Sequence, residues 1–147
     1  MLLVKGVKNN AEEIIKLTFL HFYSIINYKM KKEVRRIKMK IWVDDIRECP
    51  DDYDYWFKST NETIKFLRDR QKYGLECTIE VLDLDHDAGD YAKYGGDYIK
   101  IIDWMVGNNF ICPVRIHSEN SVGREYMLRT MKRYGIPEFK YDFDPLF

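Results

Sequence analysis

Beyond residue 38 the chain is a series of short apolar runs that end abruptly in polar residues, separated by stretches of helical periodicity. Met39 to Val43 (MKIWV) leads straight into Asp44-Asp45, Cys77 to Leu84 (CTIEVLDL) into the acidic run DHDAGD, and Ile111 to Ile116 (ICPVRI) into HSEN. Aliphatic and β-branched runs of this length predict strands, and Trp56 to Ser59 predicts a further short one. Between them, Thr60 or Asn61 caps a predicted helix that reaches about Gln71, with Ile64, Phe66 and Leu67 on its apolar side. A second helix is expected from Tyr98 to about Val106, ended by Gly107-Asn108-Asn109, and a third from Val122 to Tyr134, stopped by Gly135. Phe139 to Phe143 (FKYDF) predicts a terminal fifth strand. Strand and helix in alternation predict a three-layer α/β domain with a mostly parallel sheet of four to five strands.

The pattern before Met39 is different, which places a domain boundary near residue 38 and leaves 39–147 as the α/β domain. Residues 1–38 predict a helix starting near Asn10, with Glu12 and Glu13 in its first turn and the basic run Lys29 to Lys38 at its end, in favourable order for the helix dipole. Its most apolar stretch, Ile14 to Ile26, contains Lys16 and His21 and falls short of the roughly 20 residues a bilayer span needs. It also lacks the small-residue cleavage site of a secretory signal. Three readings stand for this segment: a helix docked on the domain, a basic amphipathic segment that touches a membrane or nucleic acid, and an extension upstream of a start at Met39.

Composition narrows the class. At 147 residues, 46% hydrophobic and 15% aromatic, the chain has the material for one core, and general disorder is excluded. Cys49, Cys77 and Cys112 are odd in number and form no CxxC pair, which argues against a disulfide framework or a zinc clip and predicts a reducing, cytoplasmic setting. The net charge of zero divides unevenly: residues 1–38 carry nine Lys/Arg against three Glu, and the remainder 15 Lys/Arg against 21 Asp/Glu. An acidic body excludes a broad duplex-binding surface. Trp42, Trp56 and Trp104 lie in apolar contexts and read as core, and Asp51, Asp52 and Asp54 as a solvated loop.

Ligands of parallel α/β sheets bind beyond the carboxyl ends of the strands. Three predicted strands end there in polar residues: Asp44-Asp45, Asp85-His86-Asp87 and His117-Ser118-Glu119-Asn120. Carboxylates gathered in a partly dry crevice repel one another and need a cation, a shared proton or a basic partner, a requirement that Mg²⁺ or Mn²⁺ meets. His86 and His117 are of the type that takes and returns a proton near neutral pH. Ser118 and the helix start after Asn120 offer donors to a phosphate. Each piece also has a plainer reading: Asp44 or Asp45 as a loop or cap residue, HxxN as an N-cap with a satisfied histidine, and Asp83 as a structural charge or a minor ligand.

WVDDIREC-P (Trp42 to Pro50), LDHDAG (Leu84 to Gly89) and HSENSVGREYM (His117 to Met127) together resemble the cyclic-phosphate processing receiver-like family, a divergent relative of two-component receiver domains. The resemblance implies a flavodoxin/receiver-like fold and action on cyclic phosphates such as nucleotides or RNA ends. By position it nominates Asp44, Asp45, Arg47, Asp85, His86, Asp87, His117, Ser118, Asn120 and Arg124. Ala88, Glu119 and Ser121 depart from the family pattern, and Glu119 adds negative charge near the pocket. Compared with an ordinary receiver, about ten residues link the first strand to the second, too few for a helical crossover, so that helix is lost or reduced. The expected activity is a metal-assisted phosphoesterase. In it Asp44, Asp45 and Asp85 hold the cation, His86 or His117, with Asp87, moves the proton, and Arg47, Ser118, Asn120 and Arg124 hold the phosphate. Two alternatives are a phosphoacceptor receiver, with Asp85 phosphorylated and Lys140 as the only candidate partner lysine, and a nucleotide-binding module without turnover.

Overall fold

Ile41, Val43, Leu82, Leu84, Val114 and Ile116 occupy alternate positions of three strands, and all of them are buried in one core. Alternate side chains of a strand point to the same face, so this face of the sheet is fixed by the sequence pattern alone. In the computed structural model, which describes residues 5–34 and 37–140, the strands are β1 (Met39–Val43), β2 (Tyr55–Phe57), β3 (Ile79–Leu84) and β4 (Val114–Ile116). They form one parallel sheet in the order β2-β1-β3-β4.

Three helices contribute to the same core: α2 (Thr60–Lys72) through Leu67, α3 (Ile99–Gly107) through Ile101, Ile102 and Met105, and α4 (Ser121–Tyr134) through Met127 and Met131. The helix of 30 residues that precedes the sheet, α1 (Lys5–Val34), belongs to a separate unit, the division falling between Ile37 and Lys38. It begins ahead of the start expected near Asn10, and the apolar side chains of Ile14 to Ile26 are exposed along it. No helix among the described residues is long and apolar enough to cross a membrane.

Local chemistry explains where the elements depart from the sequence reading. Ser59, expected to close the second strand, instead caps α2: its hydroxyl accepts from the Glu62 N–H, a contact of about 1 kcal/mol. Thr78 donates its hydroxyl to the Leu75 carbonyl, which holds residues Glu76–Thr78 in a short 3₁₀ turn and delays β3 to Ile79. Pro113 has no N–H to give, so β4 starts at Val114, although the Pro113 carbonyl accepts from Leu82. In place of the predicted fifth strand a single bridge joins Val114 to Glu138; Phe139 and Lys140 are not in a strand, and 141–143 lie outside the described residues. No helix links β1 to β2, as expected from the short connection.

The second face of the sheet is polar. Parallel register aligns Trp42 with Asp83 and Asp83 with Arg115, and these side chains point away from the main core. Trp42 is therefore buried without joining the main core cluster, Trp56 is exposed with its indole N–H on the Asp44 carbonyl, and Trp104 packs partly buried against Phe110. Asp54 is likewise more than a solvated loop residue, since its carboxylate accepts the backbone N–H of Lys40 at 2.8 Å.

Candidate functional site

The strand ends meet because the register continues one step past the last paired residues. Asp85 donates its N–H to the Val43 carbonyl and His117 donates to the Leu84 carbonyl, each at 3.0 Å, so Asp44, Asp85 and His117 stand side by side across the sheet edge. They share the face of Trp42, Asp83 and Arg115.

His117 is held from three sides. Its Nδ1 lies 2.7 Å from Asp83 Oδ1, its Nε2 lies 3.0 Å from Asp44 Oδ2, and its ring stacks on Trp42. Both ring nitrogens are thus taken up by carboxylate partners. The side chain is only 7% exposed, so neither nitrogen is open to a substrate proton. Asp83 also accepts from Tyr53 Oη and from Arg115.

His86 is arranged in the opposite way. Asp87 Oδ1 lies 2.7 Å from Nδ1, and Asn120 Nδ2 donates to Asp87 Oδ2 at 3.1 Å. Contact with His86 holds the Asp87 carboxyl below its ordinary pKa, against the opposing effect of partial burial. An ionised Asp87 fixes the proton of His86 on Nδ1 and leaves the Nε2 lone pair without a hydrogen bond among the described residues. A Cβ at Gly123 would lie within 2.7 Å of atoms of the His86 ring, so the glycine makes the space this imidazole occupies at the start of α4.

The acids form the third part. Asp44, Asp45 and Asp85 each offer an oxygen, all within 4.8 Å of one another. Arg47 Nη1 sits 3.0 Å from both Asp44 Oδ2 and Asp85 Oδ2, and Nη2 lies 3.1 Å from Glu119. Asp44 is saturated: Oδ1 takes the N–H groups of Ile46 and Arg47, Oδ2 the side chains of Arg47 and His117. Burial pushes its pKa up, but these donors outweigh burial and hold it below the ordinary value. Among the described residues no cation pairs with Asp45; burial, then the charges of Asp44, Asp85 and Asp90, raise its pKa. Gly89, at φ +48°, lets the Asp45 carboxylate lie against the backbone where a Cβ would clash. As a donor set the three carboxylates fit an oxygen-liganded Mg²⁺ or Mn²⁺, with Asp45 the most available, while Asp44 and Asp85 are both held by Arg47 and Asp85 also accepts the His86 backbone N–H at 2.7 Å.

Residues 39–133 match the family model described as Cyclic-phosphate processing Receiver domain. The chain belongs to that family. No curated protein and no solved structure matches it. This cyclic-phosphate processing receiver domain keeps a four-stranded parallel receiver-like sheet and places an acidic cluster at its carboxyl edge.

The remaining nominated residues divide. Asn120 caps α4 by accepting the Gly123 N–H at 2.9 Å while its amide reaches Asp87, so part of the expected open helix terminus is already satisfied. Ser118 Oγ accepts the Asn120 N–H at 3.2 Å. Arg124 is exposed in the first turn of α4; its backbone N–H donates to the Asn120 carbonyl at 2.8 Å, and its side chain makes no hydrogen bond or ion pair with the cluster among the described residues. Lys140, the candidate partner for a phosphorylated Asp85, lies 3.9 Å from Glu138. Trp42, read from the sequence as core, shapes the site together with Tyr53, Gly89 and Gly123, which were not nominated; the two glycines close the LDHDAG and HSENSVG motifs, which was the available signal.

Proposed function

We propose that this domain is a phosphodiesterase that opens a cyclic phosphate of a nucleotide or an RNA end, assisted by Mg²⁺ or Mn²⁺ at Asp45, Asp85 and Asp44. The observation that carries the reading is the His86–Asp87 pair, an imidazole with one nitrogen fixed and the other without a hydrogen bond among the described residues, next to Asp85 just past the end of β3. His86 Nε2 takes a proton from the attacking water as the water oxygen bonds to phosphorus. The bond from phosphorus to one ribose oxygen then breaks, and His86 returns the proton to that oxygen. Asp87 keeps the ring in the required tautomer and steadies it when charged. Arg47, Ser118, Asn120 and Arg124 supply the donors for the phosphate, Arg47 exchanging Glu119 for a phosphate oxygen. A bound divalent cation would neutralise charge on the phosphate oxygens. His117 positions Asp44 and carries no proton to the substrate.

The test is hydrolysis of 2′,3′-cyclic nucleotides, cyclic dinucleotides and ADP-ribose cyclic phosphates by the full chain, with Mn²⁺ or with EDTA. His86→Ala and Asp85→Asn are each expected to lose at least 100-fold of the activity. Hydrolysis of none of these by the wild type, or labelling of Asp85 by acetyl phosphate, would replace this reading with a binding or receiver role.

A further inference from the structure

The carboxyl edge is not the only chemically marked surface. α4 carries Arg124, Arg129, Lys132 and Arg133 against a single Glu125, in a body that is otherwise acidic. Tyr126, Arg129, Arg133 and Tyr134 fall at helical spacing along one stripe of it. Together with Asp103 and Val106 of α3 they line an open groove of 510 Å³. Both tyrosines are about half exposed, at 52% and 50%, and Arg133 lies over the Tyr134 ring at 5.5 Å. The one carboxylate from α3, Asp103, is paired with Lys100.

Both walls of the groove lead back to the site along their helices. Asn120 and Gly123, which touch Asp87 and His86, open α4, and Tyr126, the first groove residue of that helix, follows Gly123 by about 4.5 Å of helix rise. α3 also starts beside the site, since Tyr98, immediately before it, donates its N–H to the His86 carbonyl at 2.9 Å. From Gly123 to Tyr134 the stripe runs about 16 Å. Aromatic rings and guanidinium groups side by side are the two elements that hold single strands, by base stacking and phosphate pairing. Building on the cyclic-phosphate reading of the neighbouring site, we infer that the α3/α4 groove binds the last nucleotides of a single-stranded RNA whose 3′ end carries the cyclic phosphate. The preferred substrate is then an RNA end and not a free nucleotide.

The probe is a fluorescein-labelled uridine decamer ending in a 2′,3′-cyclic phosphate, bound to the full chain in a His86→Ala background so that it is not consumed. Arg129→Ala/Arg133→Ala, which removes two exposed side chains, is expected to weaken binding at least about tenfold. It should also lower the slope of log affinity against log salt by about 1.4, the loss of two phosphate contacts. Tyr126→Ala weakens binding without changing the slope. In the otherwise wild-type chain, the arginine pair leaves hydrolysis of 2′,3′-cyclic UMP unchanged. Equal decamer affinity with and without the two arginines, or a duplex bound as tightly as the single strand, overturns the groove. A chain that binds the decamer through these arginines but opens no cyclic phosphate supports the groove and overturns the catalytic reading alone.

Discussion

His117 lies flat against Trp42, the ring centroids 3.8 Å apart and the planes within 3°, while its two nitrogens bridge Asp83 on β3 and Asp44 at the end of β1. The ring therefore ties three strands together across the buried polar face. Replacing it by alanine leaves two buried carboxylates without their shared donor, a loss of about 3–5 kcal/mol. Urea unfolding of His117→Ala should give that difference; a loss below about 1 kcal/mol would mean that the clamp contributes little.

Gly123 separates stability from activity. Within α4, alanine is the better helix former by up to about 1 kcal/mol, yet its Cβ would displace the His86 ring. Gly123→Ala should keep or increase helical circular dichroism while hydrolysis falls at least about tenfold. Undiminished turnover would show that His86 need not lie where it does.

Arg47 occupies oxygens that a divalent cation would use. Arg47→Ala should lower the melting temperature of the metal-free protein, because Asp85 and Asp44 lose a counter-charge. It should also bind Mn²⁺ about tenfold more tightly by calorimetry, since no guanidinium need be displaced. Equal Mn²⁺ affinity in the two proteins would exclude this competition.

Asp45 and Asp87 push the pH dependence of stability in opposite directions. The Asp45 pKa is raised, so the folded state holds the extra proton between the ordinary carboxylate value and the raised one, and stability falls as pH rises through that window. The Asp87 pKa is depressed, so its contribution is present above the ordinary value and is lost as pH falls through the depressed one. At pH 7 Asp45→Asn should therefore melt at a higher temperature than wild type. A melting point that drops would assign Asp45 a favourable partner.

Much of this was legible because strands betray themselves twice, by an apolar run and by an abrupt polar end. MKIWV before Asp44 and VLDL before Asp85 and His86 located both the sheet and the acids that converge at its edge. What the sequence hid depends on register. Asp83 and Trp42 become partners only because β1 and β3 align them across the sheet, and nothing local to either residue announces the polar face. The difference between His86, with one free nitrogen, and His117, with none, is also tertiary, since both follow a strand and precede polar residues. Strand ends were overextended at Cys77 and Ile111 because apolar composition carries on where a threonine hydroxyl or a proline stops the ladder.

The connection from β1 to β2 supplies Arg47 to the site, turns at Asp51-Asp52, both exposed, and supplies Tyr53 after the turn. Loop length is cheap to change, each doubling costing only about 0.6 kcal/mol in closure entropy. Related chains are thus free to grow or shrink at this turn and alter which molecules reach the carboxyl edge, while the sheet beneath stays the same.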